Sequence, residues 1–242
     1  MLAIIGGTGL TRLAGLDVSD RRVVRTPYGK PSGLLTFGSI RGVPVVFLAR
    51  HGDTHTIAPH QINYRANLWA LKDRGATEIV SVASVGGIRA DLGPGRIVIP
   101  HQIIDYTWGR MSTFFEDEAP VKHVDFTEPY AAALRDRLLA AARACGEEAL
   151  DGAVYAATQG PRLESAAEID RLERDGADIV GMTGMPEAAL AREIDLGYAV
   201  IAVVVNHAAG RGASTRGVSF QQIEEVLQSA MARVRRIIEA AA

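Results

Sequence analysis

The sequence predicts an α/β fold built on one mixed, twisted sheet flanked by helices, as a single domain over residues 1–242. Three observations carry this. Short apolar, β-branched runs alternate with longer helical patterns along the chain. The second half repeats strand, loop and helix, the rhythm of parallel crossovers. A tight Ile40-Arg41-Gly42 connection between two strand candidates marks a hairpin, so the sheet is mixed rather than purely parallel.

The elements follow in order. Leu2–Gly6 is an apolar first strand that runs into glycines. Leu34–Gly38 and Val43–Ala49 are the two arms of the hairpin, and His60–Arg74 is the first helix. Glu78–Ala83 and Arg96–Pro100 are strands, followed by a long irregular stretch, Asp105–Thr127, of the kind that forms lids or subunit contacts. The helix Tyr130–Ala144 leads into three strands, Ala153–Ala157, Asp178–Met182 and Tyr198–Asn206. The helices Ser165–Asp175 and Pro186–Leu196 connect those strands, and Phe220–Ala241 closes the chain. No linker, repeat or low-complexity stretch divides it.

Composition narrows the class of function. The 242 residues are 48% hydrophobic and 22% charged, with 26 Lys and Arg against 28 Asp and Glu and a net charge of −2. That balance provides no basic face for nucleic acid. Cys145 is the only cysteine, so neither an internal disulfide nor a cysteine-based metal site is expected, which fits a reducing cytoplasm. The N-terminus reads as a strand and not a signal peptide, and the longest apolar run, Tyr198–Val205, is eight residues. That is far short of the roughly 20 residues a bilayer demands, so a soluble protein without a membrane partner is expected.

Ligands of open α/β sheets bind beyond the carboxyl ends of strands, and the chemically informative residues stand there. Gly6-Gly7-Thr8-Gly9-Leu10 follows the first strand. Its backbone N–H groups and threonine hydroxyl suit an anion, with a plain tight turn as the alternative. A dinucleotide fingerprint fails, because the next required glycine falls on Arg12. Arg50-His51-Gly52-Asp53-Thr54-His55 ends the Val43–Ala49 strand. The arginine fork suits two parallel bonds to phosphate, and His51 suits donation to the same anion or a proton shuttle. His55 is read as a solvated or helix-capping residue, and no carboxylate cluster supports a metal at the two histidines. Ala83-Ser84-Val85-Gly86-Gly87 is a further strand-to-loop junction where bare backbone is open to a ligand.

Gln159-Gly160-Pro161-Arg162-Leu163-Glu164 opens a helix, and Glu164 there either meets a ligand or complements the helix dipole. Gly181-Met182-Thr183-Gly184-Met185-Pro186-Glu187 follows the next strand, with Met182 serving a ligand or the core. Asn206 ends the most apolar strand, where an amide needs a partner, either a ligand or a turn.

Taken together, Gly-Gly-Thr-Gly-Leu, Arg-His-Gly-x-x-His, Gly-Pro-Arg-x-Glu and Gly-Met-Thr-x-x-Pro-Glu resemble, in order and over essentially the whole chain, the trimeric purine nucleoside and 5′-methylthioadenosine phosphorylases. The resemblance implies a homotrimer that acts on a small nucleoside and inorganic phosphate as co-substrate, with no cofactor and no metal. It implies phosphate binding by Thr8, Arg50, His51 and Thr183 and by the backbone at Ala83 and Ser84. Ribose lies against Met182, and Leu163, Glu164 and Asn206 hold the base. His123 reaches the neighbouring subunit's 5′-pocket, and Asn206, Glu164 and His51 are the expected catalytic groups.

Chemistry selects among substrates. Relatives that take 6-aminopurines carry an Asp pair near this position, whereas this chain reads Asn206-His207-Ala208. An amide matches O6 and N7 of a 6-oxopurine, and Glu164 accepts from its N1–H; adenine would leave a buried group unpaired at about 1–3 kcal/mol. A histidine that binds a 5′-hydroxyl in other relatives is absent here. Val218, Phe220 and Ile223 offer instead an apolar lining suited to a methylthio group, or else belong to the core. The expected reaction is therefore phosphorolysis of S-methyl-5′-thioinosine to hypoxanthine and 5-methylthioribose 1-phosphate. A general inosine/guanosine phosphorylase and a methylthioadenosine phosphorylase are the alternatives. No role is carried onto Asp53, and the Gly- and Ser-rich stretch Ala209–Gly217 is expected to be a mobile flap.

Overall fold

The computed structural model describes residues 1–116 and 118–242. Among the described residues, eleven strands join one mixed sheet, and five α-helices cover its two faces. The first strand, β1 (Leu2–Gly6), lies parallel to β4 (Val43–Ala49) and β5 (Glu78–Gly87), following β2 (Asp17–Arg22) and β3 (Leu35–Ile40) in a meander. β3 and β4 form the expected hairpin: Ile40 pairs with Val43 across Arg41 and Gly42, both at positive φ (50° and 81°), the backbone a two-residue turn requires.

The remaining strands are β6 (Ile97–Ile99), β7 (Gln102–Asp105), β8 (Ala149–Asp151), β9 (Val154–Ala157), β10 (Ile179–Gly181) and β11 (Gly197–His207). β5 and β11 are the spine of the sheet, paired in parallel from Glu78–Gly197 to Gly87–His207. β1 takes the first half of β5, and β10 pairs antiparallel with its last two residues. The carboxyl ends of β1, β4, β5, β9, β10 and β11 thereby converge.

Helices α1 (Tyr64–Asp73) and α4 (Glu187–Glu193) pack on one face, α2 (Ala132–Ala144) and α5 (Phe220–Ala241) on the other, and α3 (Ala166–Arg174) covers the β9–β10 end. The two-residue period of β1 divides the core accordingly. Ala3 and Ile5 join the cluster with Leu68 and Leu190, while Leu2 and Ile4 join Leu138 and Val234. On α5 the buried Leu227, Met231, Val234 and Ile238 recur at helical spacing. None of the described helices is long and apolar enough to cross a membrane.

Several expectations are corrected. The first helix begins at Tyr64 and not His60: Asn63 accepts from Ala66 N as its cap, and Pro59–Gln61 forms a separate 3-10 turn. α4 ends at Glu193, because Asp195 takes a left-handed φ of 53°. β5 does not end at Ala83 but runs through both glycines to Gly87. The expected bare backbone at Gly87 has a packing reason, since a Cβ there would lie 1.8 Å from Leu92 O. The stretch Ala209–Gly217 is held against α3, where Arg211 pairs with Asp170 (2.8 Å) and Glu173 (2.7 Å).

Candidate active site

A cavity of about 570 Å³ opens where the strand ends converge. Its wall brings together Thr8, Arg50, His51, Ala83, Ser84, Leu163, Glu164, Met182, Thr183, Asn206, Val218, Phe220 and Ile223. His123 is apart from it: exposed, on the loop between β7 and α2, it lines no part of its own chain's cavity.

The tight packing of the first loop has a visible cause. A Cβ on Gly7 would lie 2.4 Å from Val82 O and 3.0 Å from Arg50 Nη1, so only glycine lets this turn approach the buried arginine. Arg50 itself is 1% exposed and is not the free fork expected. Its Nε donates to Glu187 Oε2 (2.8 Å), Nη2 donates to Glu187 Oε1 (2.9 Å) and to Ser81 Oγ, and Nη1 donates to Val82 O (3.0 Å). The bidentate face is therefore occupied by Glu187, which is fully buried and also accepts from Ser81 Oγ (3.0 Å) and Tyr198 OH (2.7 Å). Of five guanidinium N–H groups, one on Nη1 remains for a ligand. A buried cation needs this counter-ion, and that need removes the two-bond clamp.

His51 is corrected as well. Its Nδ1 lies 2.8 Å from Ile57 O, and a carbonyl can only accept, so Nδ1 carries the proton. Burial, aided by the adjacent Arg50 cation, pushes the ring down to about 4, so it is neutral near pH 7. Nε2 is consequently an acceptor, suited to a hydroxyl of a protonated phosphate or a sugar, and not a donor to the anion.

His55, read from sequence as a solvated or capping residue, also lines the cavity. Its Nε2 lies 3.0 Å from Thr8 Oγ1, and its ring centroid is 4.7 Å from that of His51. When His55 Nε2 carries the proton, Thr8 accepts from it and keeps its own O–H for an anion. The i,i+4 spacing of the two histidines was the available signal, but the positive φ of Gly52 (79°) and His55 (54°) that folds them together is a tertiary feature.

On the opposite wall, Glu164 precedes the capping box of α3, in which Ser165 and Glu168 satisfy each other's backbone N–H. Thr158 Oγ1 donates to Glu164 Oε1 (2.6 Å), leaving Oε2 for a ligand. Asn206 donates Nδ2 to His207 O (2.6 Å), leaving Oδ1 and a second N–H. Met182 lies against the β9 loop, where a Cβ on Gly160 (φ 61°) would meet its Sδ at 2.4 Å. Val218 and Ile223 are half-buried, whereas Phe220 is 73% exposed and stands at the rim.

Sequence reading missed Arg110, which sits in the long irregular loop where no periodicity marks it. Its guanidinium reaches the loops after β9 and β10.

The model of the phosphorylase superfamily matches residues 1–242. A probable S-methyl-5′-thioinosine phosphorylase of Pseudomonas syringae pv. tomato is 56% identical over 234 residues, covering 96% of this chain and 94% of that protein. The 6-oxopurine nucleoside phosphorylase of Pyrococcus furiosus is 42% identical over 246 residues, covering 99% of this chain and 91% of that one. Among solved structures, the methylthioadenosine phosphorylase of Schistosoma mansoni in complex with adenine superposes with a TM-score of 0.94 at 34% identity, over 99% of this chain and 90% of that one.

Proposed function

Because the chain belongs to the phosphorylase superfamily, we propose that it cleaves S-methyl-5′-thioinosine with inorganic phosphate, giving hypoxanthine and 5-methylthioribose 1-phosphate. The protein is a nucleoside phosphorylase-type enzyme. The observation that carries the substrate is the pairing of Glu164 and Asn206 in one cavity wall, each with a free polar atom. Glu164 Oε2 accepts N1–H, which a 6-oxopurine carries and adenine lacks. Asn206 offers an N–H to O6 and its Oδ1 to a proton arriving on N7. Adenine reverses two of these partners.

Phosphate lies among Thr8, His51, Ser84, Thr183 and the one remaining N–H of Arg50. Its charge stabilises the oxocarbenium character that develops at the anomeric carbon, and it then captures that carbon. Asn206 and Glu164 stabilise the departing base. Positioning and preorganised electrostatics account for the acceleration, with no covalent intermediate and no cofactor. The methylthio group lies against Val218, Ile223 and Phe220. The working form is a cytoplasmic homotrimer in which His123 completes a neighbour's 5′-pocket.

One assay decides the substrate: base release from methylthioinosine, methylthioadenosine and inosine, with and without phosphate. Phosphate-dependent hypoxanthine release, fastest from methylthioinosine, is expected. Faster adenine release from methylthioadenosine would sink the base assignment. A general 6-oxopurine nucleoside phosphorylase is the second reading, favoured by the exposure of Phe220, which leaves the 5′-end weakly enclosed; equal rates with inosine select it. Asn206→Ala should lower kcat about 100-fold with little change in the phosphate KM. Asn206→Asp should shift preference toward 6-aminopurines, and an unchanged preference counts against the role given to Asn206.

A further inference from the structure

Arg110 is the most densely bonded residue of the loop between β7 and α2, yet among the described residues it pairs with no carboxylate. Nη1 donates to Met182 O (2.9 Å), to Met185 O and to Tyr64 OH (3.2 Å). Nη2 donates to Gln159 O (2.8 Å) and Thr158 O (3.3 Å), and Nε donates to Gln159 Oε1 (3.2 Å). The guanidinium also stands 5.6 Å over the Tyr64 ring. Four backbone carbonyls from two separate loops thus converge on one planar cation. Without it those carbonyls, which lie past the ends of their strands, lose their partner.

The two loops are the two walls of the nucleoside half of the cavity. The first passes through Thr158, whose hydroxyl holds Glu164, and the second carries Met182 and Thr183. Arg110 makes no hydrogen bond to Thr8, His51 or Ser84, which stand just after β1, just after β4 and on β5; of the phosphate-binding residues, only Thr183 lies on a loop it holds. Arginine suits the task because its rigid fork fixes the spacing between acceptors, which a lysine's single ammonium does not.

We propose that Arg110 is a positioning residue for base recognition, setting the distance between the Glu164 loop and the Met182 loop. It rests on the nucleoside reading above and deepens it: Arg110 touches no reacting atom, and its effect passes through Thr158 and Met182. Misplacing a reading group by about 1 Å costs about 100-fold, so the nucleoside half should suffer far more than the phosphate half, which Arg110 reaches only through the loop of Thr183.

The test uses Arg110→Met and Arg110→Lys in the full chain. Steady-state constants are measured for a 6-oxopurine and a 6-aminopurine nucleoside and for phosphate. In Arg110→Met the nucleoside KM should rise about tenfold and the 6-oxo to 6-amino kcat/KM ratio should fall about tenfold, with the phosphate KM within about twofold. Arg110→Lys should recover part of the ratio. Loss of folded protein lowers every rate together and leaves the ratio and both KM values unchanged. That result, or a parallel rise in the phosphate KM, overturns the proposal. Hydrogen exchange provides a readout independent of turnover: amides of 158–164 and 181–186 should exchange faster in Arg110→Met, with 50–56 and 83–87 unchanged. If the wild-type protein releases no base from any nucleoside, the functional reading fails, and the exchange pattern still decides the role of Arg110. Uniform or unchanged exchange overturns it.

Discussion

Glu187 shows how one residue can hold a site it does not line. It is fully buried, accepts from Arg50, Ser81 and Tyr198, and ties β4, β5, β11 and α4 to one carboxylate. Glu187→Gln leaves a buried guanidinium uncompensated and should destabilise the protein by about 3–5 kcal/mol, measured by urea denaturation. A loss below about 1 kcal/mol would mean that water or another group neutralises Arg50. His51 gives a pH prediction. Its ring titrates at about 4 in the fold against 6.5 for the free side chain. Between these values the unfolded chain binds more protons through this ring, so the His51 contribution to stability should fall as pH drops from about 6.5 toward 4 and stay constant below. His51→Asn, whose amide can still donate to Ile57 O, should flatten the Tm profile in that window. An identical profile would show that His51 protonates as readily in the fold as outside it.

At the scale of elements, the α3 N-terminus positions the base wall. Its capping box follows Glu164 directly, and Arg162 pairs with Glu168 at 2.8 Å. Ser165→Ala removes one half of that box and should cost about 1 kcal/mol, read as a lowered Tm, with a raised nucleoside KM because Glu164 enters the helix less firmly. An unaltered KM would separate the cap from recognition. The elements missing from the sequence reading share a physical feature. β2 reads Asp-Val-Ser-Asp-Arg-Arg, an exposed edge strand paired only with β3, so it has no apolar face to betray it. β7 and β8 are likewise only part-buried, unlike the equally short but fully buried β6 and β10, which the sequence does mark. The bounds read from sequence are the observed ones where the apolar pattern is sharp: the wholly buried β1, the buried run that closes β4, and the one-sided apolar stripe of α5.

At the scale of the molecule, the loop between β7 and α2 leaves Trp108 (72% exposed), Met111, Val121 and Val124 open to solvent in the single chain. The proposed trimer gives these side chains a cover and brings His123, on the same loop, to a neighbour. Light scattering should therefore return three times the chain mass, and Trp108→Glu should lower it. A monomer that retains full turnover would remove both the trimer and the role of His123.

The family resemblance supplied the side chains from Thr8 to Ile223 that the cavity wall includes, though not His55 or the neighbouring Thr56, Ile57, Ala58 and Pro59. The sequence by itself determined the α/β class, the hairpin and the order of the strand-end loops. These follow from local patterns, since a strand needs an apolar run and a ligand loop needs glycine and polar groups at its end. Only the tertiary structure decided what those side chains are free to do. Arg50 faces Glu187 from 137 residues away, His51 donates to Ile57, His55 bonds Thr8, and Arg110 joins two loops that no local pattern connects to it. A hydrogen-bonding group has few donors and acceptors, and the fold assigns most of them to protein partners. What remains for the ligand is set by burial and by distant partners, which composition and spacing do not encode.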